Sequence, residues 1–187
     1  MRLLIMGPPG AGKGTQAVAL ARRVDGPHIS TGDIFRDNIG RRTELGTLAE
    51  KYIAAGEYVP DGVTDAMVRD RLAEPDATSA FVLDGYPRTE QQVATLDDLL
   101  DARGASVDAV IELVVPDEQL VARIHRRSAE SGRLDDTDEV VRRRLAVYAE
   151  QTAPLLRTYA DRGLLHRLDG TGDLDEVRQS INLALGV

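Results

Sequence analysis

An α/β fold, with a parallel sheet covered by helices on both faces, is predicted by three observations. Apolar runs with no polar alternation stand at Leu3-Leu4-Ile5-Met6 and Ala80-Phe81-Val82-Leu83, and a less regular one at Val107 to Val115. Unalternating runs of this length are what strands buried on both faces require. Between them lie longer stretches whose apolar residues repeat at helical spacing, so strands and helices alternate along the chain. The third observation is the glycine-rich turn that follows the first strand, because it shows which edge of the sheet is used.

That turn reads Gly7-Pro8-Pro9-Gly10-Ala11-Gly12-Lys13-Gly14-Thr15. Its glycines let the backbone curl until several N–H groups face one centre. The segment Gln16 to Val24 then begins a helix whose positive end faces the same centre, and Lys13 adds a full charge. Strand, turn, lysine and helix together predict a phosphate cradle, the P-loop. The residue after Lys13 is Gly14 rather than a hydroxyl residue, and the hydroxyl comes one place later at Thr15. This argues against that hydroxyl as a direct magnesium ligand.

The remaining elements follow in order. Asp25-Gly26-Pro27 breaks the first helix, and His28-Ile29-Ser30 is a short extended piece. Ser30 and Thr31 suit a helix cap, with Asp33 at capping distance from Ser30. Residues 32 to 41 and 44 to 55 read as helices, the second stopped by Gly56 with Pro60 soon after, and 61 to 73 as a third. The strand at 80 to 83 ends in Asp84-Gly85-Tyr86-Pro87-Arg88, at the edge where open parallel sheets bind ligands. An aspartate there holds magnesium in P-loop proteins or caps a turn. Pro87 stiffens the loop and aims Arg88. Thr89-Glu90-Gln91-Gln92 has capping-box spacing, so Gln92 has a structural as well as a functional reading.

A helix follows to Arg103 and ends at Gly104. After the third strand, Pro116-Asp117 opens a helix on which Arg123, Arg126 and Arg127 share one face. Ser128 to Asp136 reads as a polar loop. Residues 137 to 159 form a long helix, interrupted or bent near Pro154. Its Arg142, Arg143 and Arg144 cannot all face one site at about 100° per residue. Leu164 to Leu168 is a last strand, and Asp169-Gly170-Thr171-Gly172-Asp173 turns into a closing helix over 174 to 185. Gly40, Gly46, Gly56 and Gly132 stand as hinge or helix-end candidates.

Composition bounds the function. The 187 residues suit one domain, 1–187, with room for a sizeable core. There is no cysteine, hence no disulfide and no thiolate zinc site. No apolar run reaches 18 residues, so no membrane partner is expected. The first apolar stretch is too short for a signal peptide, and a cytoplasmic protein is expected. A net charge of −8 argues against a nucleic-acid surface. Only Lys13 and Lys51 of the 23 basic residues are lysines, and arginine is the side chain suited to bidentate grips on phosphate.

Four motifs in order, Gly-Pro-Pro-Gly-Ala-Gly-Lys-Gly-Thr, Ser-Thr-Gly-Asp-Ile-Phe-Arg, Leu-Asp-Gly-Tyr-Pro-Arg and the arginine-rich segment before Asp-Asp-Thr, resemble the adenylate kinases along essentially the whole chain. The Gly14-Thr15 order is part of that resemblance. It implies a three-layer α/β/α P-loop fold with a five-stranded parallel sheet and two mobile insertions, a nucleotide-binding segment over 30–59 and a short lid over 126–136. It implies magnesium-dependent phosphoryl transfer from ATP to AMP giving two ADP, no zinc, and a monomer.

By the same resemblance Gly10, Ala11, Gly12, Lys13, Gly14, Thr15, Arg123, Arg127 and Gly172 bind ATP. Thr31, Arg36, the backbone of Glu57, Tyr58 and Val59, Gly85, Tyr86, Pro87, Arg88, Gln92, Arg133 and Arg144 bind AMP, with Gln92 on the adenine edge. Lys13, Arg88, Arg127, Arg133 and Arg144 surround the transferring group, and Asp84 holds magnesium through water. A kinase for another nucleoside monophosphate is the nearest alternative. A GTPase-like switch is excluded, since Lys51, the only lysine outside the P-loop, lies in no Asn-Lys-x-Asp motif.

Overall fold

The computed structural model of the chain describes residues 1–131 and 137–187. Its strands are β1 Arg2–Met6, β2 His28–Ser30, β3 Phe81–Asp84, β4 Ala109–Val114 and β5 Leu165–Asp169. They form one sheet in the order β2-β3-β1-β4-β5, and every pairing is parallel. The register sets Ile5 beside Asp84 and Met6 beside Glu112. The chain leaves β1 toward one edge, returns to pair β3 with β1, and then crosses to β4 on the other side. The crevice at the carboxyl end of β1 is therefore the switch point where such sheets bind ligands.

Both faces of the sheet are covered, which is why β1 reads as an unbroken apolar run. Leu4 and Met6 point into one core with Phe81, Leu83 and Val110. Leu3 and Ile5 point into the other with Val82, Ile111 and Leu113. The first core is closed by α2 (Thr31–Gly40), α3 (Glu44–Ala54), α4 (Asp61–Leu72), α5 (Glu90–Asp101) and α8 (Leu155–Asp161), through residues such as Phe35, Ala49, Val68, Leu96 and Tyr159. The second is closed by α1 (Lys13–Arg23), α6 (Asp117–Ser131) and α9 (Leu174–Leu185), through Ala17, Leu20, Leu120, Val177 and Ile181. Among the described residues no helix is long and apolar enough to cross a membrane.

Three boundaries differ from the sequence reading. Helix α1 begins at Lys13 rather than Gln16, because Gly12 takes the N-cap position in the left-handed region, at φ 93°. Lys13, Gly14 and Thr15 thus lie in the first turn, where backbone N–H groups have no intrahelical partner. Helix α6 continues to Ser131, where a polar loop from Ser128 was expected. Polarity alone does not stop a helix, and the first glycine after Arg127 is Gly132. The long helix from 137 divides earlier than its proline: α7 (Asp138–Val147) passes into a π-turn over Tyr148–Thr152. There the Ala153 N–H reaches back five residues to the Tyr148 carbonyl, 2.9 Å away, and Pro154 has no N–H with which to resume the α pattern. The widened turn carries Thr152 into the interior, 4% exposed.

Gly46 does not end a helix. It lies in the first turn of α3 with its Cα against the end of α2, so that an added Cβ would strike the Asn38 carbonyl and come within 2.6 Å of the Ile39 nitrogen. Gly40, the last residue of α2, has open space around it. Gly46→Ala is expected to destabilise the fold by about 1–3 kcal/mol. Gly40→Ala should leave stability unchanged or raise it by about 0.5–1 kcal/mol. Thermal unfolding of the two variants beside the parent checks both signs.

Candidate active site

The P-loop occupies the carboxyl end of β1, as its sequence required. Lys13 Nζ donates to the carbonyls of Gly7 (2.7 Å) and Pro8 (2.9 Å), so its ammonium is tied to the loop it serves. Burial lowers its pKa from 10.5 to about 8; Asp84 opposes the shift, while Arg88, Arg144 and Arg127 add to it. Gly14 has an ordinary backbone conformation, and a Cβ there would sit 3.4 Å from Asp84 Oδ2, a normal contact. The missing hydroxyl at that position is therefore not forced by crowding.

A second group of residues gathers on the other side of Lys13. Ser30 caps α2, its hydroxyl accepting the Asp33 N–H at 3.2 Å. This leaves the neighbouring Thr31 free to donate to the Gly85 carbonyl at 2.9 Å. Arg36 pairs with Asp33 at 2.6 Å. Gly85, at φ 81°, is enclosed between the Thr31 hydroxyl and the Arg88 guanidinium; an added Cβ would meet them at 2.7 and 2.8 Å.

Arg88 is held at four points. Its Nε donates to the Gly85 carbonyl (2.7 Å), and its guanidinium lies over the Tyr58 ring, 4.8 Å from the centroid. Its backbone N–H donates to Gln92 Oε1 (2.7 Å), and its carbonyl accepts the Thr152 hydroxyl (3.0 Å). Thr152 also hydrogen-bonds the Tyr58 hydroxyl at 2.8 Å, so the π-turn braces both partners of the cation–π contact. Thr89 caps α5 by accepting the Gln92 N–H at 3.2 Å. The reciprocal bond of a capping box is diverted, since the Gln92 side chain takes the Arg88 N–H instead.

These residues line two adjoining clefts. Gly10 through Thr15, His28, Asp84, Arg123, Arg126, Arg127, Gly172 and Asp173 line the first, over the N-terminus of α1. Thr31, Phe35, Ile53, Glu57, Tyr58, Val59, Thr64, Tyr86, Pro87, Gln92, Tyr148 and Thr152 line the second, between α2, α3 and the β3 end. Lys13, Arg36, Arg88 and Arg144 line both. The wall between the clefts is thus built from four cations carried by four separate segments.

Of the three consecutive arginines in α7, Arg144 is the one that lines the clefts. Arg142 is exposed, and Arg143 turns away to pair with Glu57 at 2.6 Å. Arg123 and Arg127 face the first cleft from α6. Arg133 lies outside the described residues. The Tyr86 hydroxyl is committed to the fold, donating to Asp65 Oδ1 at 2.8 Å. Sequence reasoning did not single out Phe35, Ile53, Thr64, Tyr148, Thr152 or the Tyr58 ring. The last three depend on the π-turn and on pairing across the cleft, and neither has a local pattern.

Asp84 closes β3 beside the P-loop. Its Oδ2 is 3.7 Å from His28 Nε2, a buried nitrogen with no hydrogen-bond partner among the described residues. Among those residues no group of three or more His, Asp or Glu could hold a metal. One carboxylate with space before it suits a magnesium ion that keeps its waters and arrives with substrate phosphates, rather than one caged by protein.

A phosphate loop opening on one cleft, with a cationic wall and a second cleft behind it, defines a P-loop phosphotransferase acting on two bound molecules. The adenylate kinase family model matches residues 5–164. The chain is 54% identical to the adenylate kinase of a Nocardioides species, over all of this chain and 98% of that one. It is 53% identical to that of Kocuria rhizophila, over 98% of both chains, and 51% identical to that of Thermobifida fusca, over 99% of this chain and 98% of the relative. The chain belongs to the adenylate kinase family.

The depressed Lys13 pKa makes the first cleft sensitive to pH. The folded chain holds this proton less tightly than the unfolded one, so the penalty of burying the charge is complete below about pH 8. It is relieved as pH rises toward 10.5, and the contribution of Lys13 to stability increases through that window. Bound phosphates favour the ammonium and draw the proton back. ATP binding at pH 8.5 is therefore expected to take up protons, and affinity to fall as pH rises further. Calorimetry in two buffers of different ionisation enthalpy should show this uptake, and Lys13→Met should abolish it.

Proposed function

We propose that this chain transfers the terminal phosphoryl group of ATP to AMP, reversibly, giving two ADP. The observation that carries the reading is the shared wall, with Lys13, Arg36, Arg88 and Arg144 each lining both clefts. Two nucleotides seated with their phosphates toward that wall meet end to end, and the cations lie where charge is transferred. The P-loop and Lys13 hold the ATP phosphates, with Arg123 and Arg127 above them and Gly172 beside the base. Thr31, Arg36, the 57–59 segment, Gly85 to Arg88 and Gln92 hold AMP.

The attacking AMP oxygen is ionised near neutral pH, so no general base is needed. What the residues supply is alignment and positive charge around a loose transferring group. Magnesium bound to ATP neutralises phosphate charge, and Asp84 would hold it through water. Segment 30–59 closes over the site, excluding water as a competing acceptor. On this reading the enzyme is a cytoplasmic monomer whose partners are ATP, AMP and ADP.

Supplied with ADP and magnesium alone, the protein should produce ATP and AMP in equal amounts; unchanged ADP would overturn the reading. Initial rates with AMP, UMP, CMP and GMP as acceptors should favour AMP. Arg88→Ala and Arg144→Ala should each lower kcat about 10²–10³-fold, as expected for loss of one donor to a transition-state charge. Arg142→Ala should change it little.

A further inference from the structure

The second cleft contains an amide whose orientation is settled by its neighbours. Gln92, 1% exposed, has its Oε1 on the Arg88 backbone N–H at 2.7 Å and its Nε2 on Asp61 Oδ1 at 2.7 Å. A backbone N–H can only donate, and an ionised carboxylate can only accept. Turning the amide over would set donor against donor at Arg88 and acceptor against acceptor at Asp61. The other carboxylate oxygen, Asp61 Oδ2, takes the Thr89 hydroxyl at 2.8 Å, so Asp61 is itself fixed. Its place in the first turn of α4 also suits its negative charge.

We propose that Asp61 is a specificity-determining positioning residue, which sets the choice between 6-amino and 6-oxo purines by locking the Gln92 amide in one orientation. The inference rests on the reading above, in which Gln92 faces the base of the acceptor nucleotide. With both anchors made, the amide has one N–H and one carbonyl lone pair left, in a fixed order. Adenine offers an acceptor at N1 and an amino donor at C6, which complements that order. A 6-oxo purine offers a donor at N1 and an acceptor at O6, which opposes it. The rejection comes from the lock, because a freely turning amide would serve either edge equally well.

The test compares kcat/KM for AMP with that for inosine monophosphate, which differs from AMP only at this edge, in the parent, Asp61→Asn, Asp61→Ala and Gln92→Ala. The near-isosteric Asp61→Asn presents either a carbonyl or an amino group to Gln92, so only the Arg88 N–H still opposes turning of the amide. The preference for AMP should fall about 10-fold in both Asp61 variants, because turning the amide then opposes one anchor, the Arg88 N–H, instead of two. The change should fall on KM rather than kcat. Loss confined to the unfolding temperature, with the parent's preference intact in both Asp61 variants, would mean that Asp61 only supports α4, and would overturn the proposal. Gln92→Ala separates the two levels. If it erases the preference while the Asp61 variants keep it, the reading of the acceptor cleft stands and the lock is wrong. If it leaves the preference unchanged, Gln92 does not read the base and both fall.

Discussion

Four cations must be kept side by side before any phosphate reaches them, and much of the site's construction follows from that requirement. Like charges at a half-buried wall repel, and each needs a local partner that does not neutralise it for good. Lys13 leans on two loop carbonyls, Arg36 on Asp33, and Arg88 on the Gly85 carbonyl and the face of Tyr58. For Lys13 and Arg88, carbonyl dipoles and an aromatic face hold the cation without supplying a full counter-charge, so their field remains available to an anion. Burial lowers the pKa of Lys13, and the neighbouring arginines add to that shift. Arginine keeps its proton throughout, which leaves the lysine as the one wall residue that responds to pH.

The scaffold meets this requirement by bringing loop ends together. Parallel strands place the P-loop, the 28–31 segment and the 84–88 loop along one edge, and adjacent register sets Asp84 beside β1. Left-handed glycines at 12 and 85 turn the chain sharply where side chains would collide or N–H groups must be exposed. Beside the second cleft α4 acts as a rail. Asp61 and Asp65, one turn apart, bond Gln92 and Thr89 in the first case and Tyr86 and Thr95 in the second. Buried networks of this kind are costly if incomplete and rigid when satisfied. The wall of the second cleft is therefore stiff where base recognition is proposed.

The fold was legible almost entirely, because strands buried on both faces and helices with one apolar stripe leave periodic traces in sequence. The P-loop was legible for a different reason, since a phosphate cradle needs glycines and a lysine at fixed spacing. Errors came where local signals compete: the polar run after Arg127 continues as helix to Ser131, and the break before Pro154 begins six residues early as a π-turn. Capping patterns at Ser30 and Thr89 were read correctly as positions. Ser30 and Thr89 accept the Asp33 and Gln92 N–H groups as their spacing required, but the Gln92 side chain turns to Arg88 and Asp61, because an amide chooses among partners that only folding brings near.

By itself, then, the sequence determined the α/β architecture, the phosphate cradle and the arginines that could serve it, because each rests on spacing along one segment. It also determined that Arg142, Arg143 and Arg144 could not share a role, since helical geometry is local. Only the tertiary structure decided which cations form the common wall, that Tyr58 and Thr152 brace Arg88, and that Asp61 fixes the Gln92 amide. Those placements join residues 23 to 131 positions apart in the chain, and their geometry depends on the packing of whole elements rather than on any pattern within one.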